Sequence, residues 1–197
     1  MTKLHKSLPV IILLGIMFLV PNYSSAYEFR VSPLVSVVSG EDFSSPATGL
    51  GLSAGYGKRI IPGIGYLIEA GYCQSSYESD SSFTHMWADL RLEWALLPSI
   101  KVLQPYIGAS AGIYRYEQKT DGDIVIVQST NEEKKDNCFG LGAVVGANTN
   151  LLPLIDLFVE IKAQRLFTKD IEKFGPADED EWLITGGVGI RLALSLF

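Results

Sequence analysis

The feature that most constrains this chain is a strict alternation of apolar residues with polar or very small ones. In the stretch ADLRLEWALL, residues 88–97, the charged side chains Asp89, Arg91 and Glu93 occupy every second position, and apolar side chains stand between them. Successive side chains of a β-strand point to opposite faces, so this period of two predicts a strand with one apolar and one polar face. No segment after the N-terminal region shows a comparable helical period.

Eight segments of this kind follow one another, and each is longer than the five or six residues usual for a globular strand. Their length suits a tilted strand that crosses a membrane, which takes about 9–11 residues plus its ends. Short links with proline and aliphatic residues alternate with longer polar links, as in an antiparallel meander with turns at one end and loops at the other. The predicted strands cover residues 27–38, 48–58, 63–74, 83–97, 104–117, 137–149, 155–168 and 182–197.

The N-terminal region has the pattern of an export signal. A short basic start is followed by the apolar run PVIILLGIMFLV and then by PNYSSA, whose small residues precede a predicted cleavage before Tyr27. This order is typical of a secretory signal peptide, and the apolar run is too short for a spanning helix. The sequence therefore predicts a signal peptide over residues 1–26 and one β-barrel domain over residues 27–197.

Charge and residue usage exclude several classes of function. Loss of Lys3 and Lys6 with the signal peptide lowers Lys+Arg from 16 to 14 against 22 Asp+Glu, which takes the net charge from −6 to −8. Nucleic-acid binding needs clustered basic residues, so it is not expected. With 2 histidines and 2 cysteines in the whole chain, at spacings that match no metal motif, neither a metal centre nor a cofactor is predicted.

Alternation alone does not say which face of a barrel is outside, because a secreted lipocalin-like barrel also alternates, with its apolar face inward. The polar face here is small as well as polar, and in the second predicted strand it consists of Gly49, Gly51, Ser53, Gly55 and Gly57. Such a face suits a narrow lumen, whereas a water-exposed surface would carry long polar side chains. The sequence favours an apolar face in lipid and leaves the lipocalin-like barrel as an alternative.

The charges on the polar face are nearly balanced, with five acids and four bases. Paired carboxylates could perform acid–base chemistry. They could also cross-link the inside of a filled barrel through charge-assisted hydrogen bonds, because ions confined in a low-dielectric lumen have to be paired. We predict the structural role, with no catalytic residue, for a lumen charge network of Glu28, Arg30, Glu69, Asp89, Arg91, Glu93, Glu160, Lys162 and Arg191.

Aromatic residues on the apolar face collect at the ends of the predicted strands. This sorting is typical of the two interfaces of a bilayer, and a protein core would not require it. The predicted aromatic girdle consists of Phe29, Tyr56, Tyr66 and Trp94 at the short-turn end, and of Tyr72, Phe139, Phe167 and Trp182 at the long-loop end.

The chain resembles the small eight-stranded outer-membrane β-barrels, such as the OmpA transmembrane domain and OmpX. The resemblance covers the mature chain and rests on the signal peptide, the eight alternating segments, PYIGASAGIYRY at 105–116 and the terminal RLALSLF. It implies an up-and-down transmembrane barrel in a Gram-negative outer membrane, with the termini and short turns in the periplasm. It also implies contact with outer-membrane lipid and lipopolysaccharide, and with the barrel-assembly machinery during biogenesis. In one departure from the family, Phe197 does not share the parity of Leu192, Leu194 and Leu196.

The resemblance leaves the role of the protein open, because this architecture includes lipid A deacylases that use a Ser–His pair in a His-x-Ser pattern. That pattern is absent here, since His85 is followed two positions later by Trp87, and parity places His85 in the lumen. We expect a non-enzymatic barrel with a structural or surface-interaction role. A narrow pore across the outer membrane is the alternative, and a soluble lipocalin-like binding barrel is the further one.

The two cysteines, Cys73 and Cys138, both face inward near the long-loop end by parity. One hypothesis is a disulfide that pins this end, in a compartment that permits such bonds. Against it, the third and sixth predicted strands are not neighbours, and a disulfide needs Cα atoms within about 7 Å. The sequence leaves both states open.

Two long loops, residues 118–136 and 169–181, are the candidate sites for an external ligand or surface partner. In the first, the alternating residues 124–127 predict either a hairpin that extends the fifth and sixth strands or a disordered loop. In the second, the acidic run 178–181 could hold Ca²⁺ or Mg²⁺ and bridge it to lipopolysaccharide phosphates. A solvated acidic loop is favoured there, because no ligand spacing stands out.

Overall fold

The computed structural model describes residues 27–40, 46–61, 63–77, 81–97, 102–128, 130–152, 154–168 and 180–194. The predicted signal peptide, residues 169–179 and the terminal Phe197 lie outside these ranges. Nothing within them is a helix long and apolar enough to cross a bilayer. The strands are β1 (Tyr27–Ser39), β2 (Ala47–Ile61), β3 (Ile64–Tyr77), β4 (Ser81–Ala95), β5 (Gln104–Thr120), β6 (Asp123–Ile124), β7 (Ile126–Val127), β8 (Glu132–Glu133), β9 (Lys135–Leu152), β10 (Ile155–Leu166) and β11 (Glu181–Leu194).

The eight long strands form one closed antiparallel barrel. Each pairs with its long neighbours along the chain, and β1 pairs with β11 to close the ring. The short links that join β2 to β3, β4 to β5 and β9 to β10 lie at one end, here called the turn end, and the other links lie at the loop end. The predicted eight-stranded antiparallel barrel is confirmed.

The barrel wall continues into the first long loop. β5 ends at Thr120, three residues later than predicted, because its last residues still pair with β4, where Thr120 lies opposite Ser81. The chain then turns through Asp121 and Gly122, whose φ angles of 55° and 87° are those of a tight hairpin turn, and β6 pairs back onto β5. Next, β7 and β8 form a separate two-stranded hairpin. Residues 124–127 are therefore ordered and not a disordered loop. They belong to two short pairings, β5 with β6 and β7 with β8, instead of one long hairpin.

The two faces of the barrel differ sharply in chemistry. Large apolar side chains cover the outer face and are strongly exposed, as shown by Leu50 at 72%, Ile113 at 64% and Val188 at 61%. Charged side chains such as Arg91 and Lys162 lie inside and are almost completely buried. This arrangement is the opposite of a lipocalin-like barrel, in which the apolar face points inward.

The lumen is filled in two layers. Towards the loop end, an apolar cluster occupies it, and from the middle to the turn end the charged side chains do. An eight-stranded barrel is narrow enough for side chains to fill it completely. The apolar cluster consists of Leu34, Val38, Ala47, Cys73, Phe83, Trp87, Tyr114, Tyr116, Cys138, Leu166 and Leu183.

Candidate functional site: the lumen charge network

Arg91 of β4 lies at the centre of the charged layer. Its guanidinium bonds to Glu69 on the neighbouring strand β3, and its Nη1 lies 2.8 Å from Glu160 Oε2 on β10, across the lumen. Its Nη1 also lies 3.6 Å from Glu93 Oε1. The strand period of two aims all these side chains inward, and closure of the barrel brings β10 opposite β4. Arg91 therefore ties three strands together.

Lys162 of β10 forms a second centre, nearer the apolar cluster. Its Nζ lies 2.5 Å from Glu69 Oε1 and 2.9 Å from Asp89 Oδ2, and it sits 5.2 Å from the centre of the Trp87 ring. Glu69 thus binds both Arg91 and Lys162 through its two oxygens. A buried charge is tolerated only when its partners replace water in this way.

Arg30 of β1 forms the third centre. Its guanidinium donates to Glu93 at 2.5 and 2.8 Å and to Glu28 at 2.7 Å. The same group lies over the rings of Tyr106 and Phe158, at 5.4 and 5.5 Å from their centres. Arg30 links β1 to β4 across the lumen, so the network spans the barrel in two directions.

Parity reasoning missed one member of the network, Asp156. Arg191 of β11 bonds to Asp156 through its Nε at 2.8 Å and through Nη2, and its Nη1 lies 3.6 Å from Glu28. Asp156 has the parity of Glu160 on the same strand, so the alternation contains the signal. With Asp156, the network defined from the sequence comprises six acids and four bases.

Neutral side chains donate further hydrogen bonds to carboxylate oxygens of the network, which the cations alone do not satisfy. Tyr106 donates to Glu160 at 2.7 Å, and Trp87 donates to Glu69 at 3.2 Å. Tyr114 donates to Asp89 at 3.0 Å. Sequence reasoning did not assign these roles, because an inward aromatic residue alternates in the same way whether or not its polar atom finds a carboxylate.

The arrangement does not resemble an acid–base site. Glu69 and Glu160 are each bound to cations, and their side chains are only 5% exposed, so a substrate would have no access to them. A small cleft with a cavity volume of about 20 Å³ opens at the turn end instead, and Glu28, Arg59 and Asn148 are among its lining residues. Within the described ranges, no three His, Cys, Asp or Glu side chains are placed to hold a metal ion.

Comparison with known proteins gives a match at the level of fold. No family model and no curated protein matches the sequence. The crystal structure of Neisserial surface protein A matches with a TM-score of 0.64 at 14% identity, covering 86% of this chain and 99% of that one. Ail, the attachment invasion locus protein of Yersinia pestis, matches with a TM-score of 0.55 at 12% identity, covering 87% and 100%. A major outer membrane protein from Thermus thermophilus matches with a TM-score of 0.53 at 14% identity, covering 85% and 99%.

The chain has the fold of a small outer-membrane β-barrel. At these identities the likeness shows the fold alone. The loop end of the barrel is the end at which such proteins carry their longer loops.

The structure places most residues of the predicted aromatic girdle on the outer face of the barrel. At the turn end Phe29, Tyr56 and Trp94 are exposed on the outer face, and at the loop end Tyr72, Phe139 and Trp182 are exposed while Phe167 is partly covered. Tyr66 was expected among the exposed rings and is not, because it is only 9% exposed. It has the outward parity, but it lies in the wall between Lys58 of β2 and Leu92 of β4.

The disulfide hypothesis fails, because Cys73 and Cys138 are both free thiols. Cys73 pairs with His85 on β4, and Cys138 pairs with Tyr114 on β5, so two strands separate them along the wall. Both belong to the apolar cluster, whose aromatic rings fill the lumen at this level. The cysteines pack as small apolar side chains.

His85 is completely buried at the loop end of the lumen. Its Nε2 lies 3.8 Å from Glu181 Oε2, beyond hydrogen-bond distance, and its ring lies 5.4 Å from that of Tyr116. No described atom makes a hydrogen bond to either ring nitrogen. The residue points inward, as parity predicts.

Proposed function

We propose that this protein spans the bacterial outer membrane as a sealed, non-enzymatic barrel that presents its long loops to the exterior. The turn end lies in the periplasm, and the loops at 118–136 and 169–181 are the surface available to an external ligand or partner. The outward apolar face supports insertion, since a soluble monomer rarely exposes so large a contiguous apolar surface.

The proposal that the barrel has no pore rests on one observation. Two layers of side chains, one charged and one apolar, fill the lumen. Arg91 and Lys162 are locked to carboxylates across the middle, and the apolar cluster that contains Trp87 and Tyr114 lies directly above them. Water crossing the barrel would have to displace both layers. The barrel therefore acts as an anchor and a seal.

Conductance in planar lipid bilayers tests this seal. Barrel that has been folded into lipid, verified by its heat-modifiable migration on a gel, is expected to give currents indistinguishable from protein-free bilayers. Stepwise conductance that depends on the protein would reject the sealed barrel and support the narrow pore instead.

Epitope insertion tests location and orientation. A tag inserted after Gln128, between β7 and β8, is expected to bind antibody on intact cells. The matched tag after Leu152, in the turn between β9 and β10, should bind antibody only after the outer membrane is permeabilised. The reverse pattern, or recovery of the protein in the soluble periplasmic fraction, would overturn the proposed orientation or the membrane assignment.

A further inference from the structure

In the described part of the long strands, outward-facing charges at the loop end lie on one side of the barrel. On β5, β9 and β10 the outer face carries Arg115, Glu117, Lys119, Lys135 and Arg165. The outer face of the other long strands is uncharged at the same end, where it carries Val35, Val37, Ser39, Thr48, Leu50, Tyr72, Gln74, Ser76, Ser82, Thr84, Met86, Trp182 and Ile184. We call the charged side the cationic sector.

Most charges of the cationic sector are neutralised within it. Lys119 lies 3.0 Å from Glu117, and Lys135 forms an ion pair with Glu133. Arg115 is different, because it is exposed on the outer face between Met86 and Asn137 and no described carboxylate forms an ion pair with it. Among the described residues, the sector therefore retains a guanidinium that has no ion-pair partner.

A second arginine, Arg165, lies in the same sector, and only part of its guanidinium is bound to a carboxylate. Arg165 uses Nε and Nη2 to bind Asp180, both at 2.9 Å, while its side chain remains 51% exposed. Its guanidinium carbon lies 5.8 Å from the centre of the Phe167 ring. The remaining nitrogen, Nη1, is the one that Asp180 does not engage.

An aromatic pair separates the two arginines. Phe139 and Phe167 stack with ring centres 6.0 Å apart at an angle of 9°, and Phe139 is 51% exposed. Arg115 pairs with Asn137 on β9 and Arg165 pairs with Leu141, so Phe139 lies midway along the same strand. Standard strand spacings put the two arginine Cα atoms about 16 Å apart, a gap that two long side chains can narrow.

We propose that the cationic sector binds a phosphate-bearing lipid of the outer leaflet, an inference that rests on the proposed membrane location. Arg115 binds a headgroup phosphate through its planar fork, and Arg165 contacts the same headgroup through Nη1. The Phe139–Phe167 pair packs against the upper acyl chains at the level where aromatic rings favour a bilayer interface. The uncharged side of the barrel offers no such contact.

Titration with bisphosphorylated lipid A, followed by native mass spectrometry of the folded barrel in detergent, tests the site. Removal of one cation near an anionic lipid is expected to weaken binding roughly fivefold. Arg115→Gln should show this loss, and Arg115→Lys should recover part of it. The control Lys58→Gln removes an outward cation at the opposite end and should leave binding within about twofold of the unchanged protein.

Dephosphorylated lipid A separates phosphate recognition from general lipid contact. It is expected to bind the unchanged protein and Arg115→Gln equally, and inorganic phosphate should not compete with lipid A. Equal binding of bisphosphorylated lipid A to both proteins would overturn the site. Heat-modifiable migration first checks that each protein inserts into the detergent or lipid. Failure to insert counts against the membrane assignment. Equal binding of bisphosphorylated lipid A by inserted proteins with and without Arg115 counts only against the lipid site.

Discussion

Gly71 shows at the scale of a residue why one face of this chain is so rich in glycine. Its position faces the lumen, and a Cβ built there would lie 2.1 Å from the Trp87 ring. Trp87 needs that space because its ring covers Lys162 and its indole nitrogen donates to Glu69. A small residue on one strand thus makes room for a large one on the next.

Gly71→Ala is expected to destabilise the barrel by about 1–3 kcal/mol, because the Trp87 ring has to shift within a packed lumen. The free energy of unfolding, measured with urea in lipid vesicles, checks this. The control is Gly186→Ala, where the nearest atom to an added Cβ is 4.0 Å away. A loss at Gly186 as large as that at Gly71 would show that the effect is not steric.

Arg91 tests whether the lumen ions depend on one another. Arg91→Met leaves Glu69 and Glu160 without this partner inside the barrel, and breaking a buried pair costs about 3–5 kcal/mol. We expect a loss of this size in urea unfolding. Adding Glu69→Gln to Arg91→Met should cost less than the sum of the two single changes, since it removes one of the stranded charges.

The exposed Arg115→Met is the control for Arg91→Met. Arg115 has no described carboxylate partner, so its loss should change the free energy of unfolding, measured under the same conditions, by no more than about 0.5 kcal/mol. If the two substitutions destabilise the barrel equally, the lumen network does not contribute to stability in the way described.

At the scale of elements, the first long loop extends from the barrel wall but adds little to the pairing that holds the barrel together. β6 adds one short pairing to the end of β5, and β7 and β8 are paired only with each other. Below this level, β5 pairs continuously with β4 and β9 down to the turn end. The loop is therefore a separate unit of stability.

Replacement of residues 121–133 by a short glycine-serine turn is expected to leave the barrel folded. Its heat-modifiable migration should persist, and the free energy of unfolding should fall by no more than about 1 kcal/mol, because surface loops tolerate length changes well. The matched change is removal of the same number of residues from β9 and should abolish folding. Loss of folding on replacement of the loop would show that the hairpin is part of the barrel's core.

The sequence predicts much at this scale because lipid and lumen impose a period of two. Strand number, direction and the inward position of Arg91 or Glu160 all follow from that period. The short strands β6 to β8 do not follow from that period, because they lie beyond the part of the barrel wall that has an apolar outer face and a polar inner face. The Asp121-Gly122 pair was nevertheless a usable turn signal in the sequence.

At the scale of the whole molecule, the pairing of ions across the lumen lies beyond sequence reasoning. Parity places Arg30 and Glu93 inside, but their contact depends on how far the strands are staggered when the barrel closes. The sequence of a single strand predicts which side chains face the lumen. Contacts between distant strands can be predicted only when the geometry of the closed barrel is known.

The direction of the two faces decides whether this barrel lies in lipid, and neighbouring positions on β5 report that direction. In a protein with Cys73 and Cys138 changed to alanine, single cysteines at Ala109, Ser110 and Ala111 are labelled with a fluorophore in urea before folding into vesicles. Labels at Ala109 and Ala111 should permit folding and be quenched by brominated acyl chains, while a label at the buried Ser110 should block folding. Quenching of the labels at Ala109 and Ala111 by aqueous iodide, and not by brominated lipid, would show that the apolar face does not lie in lipid.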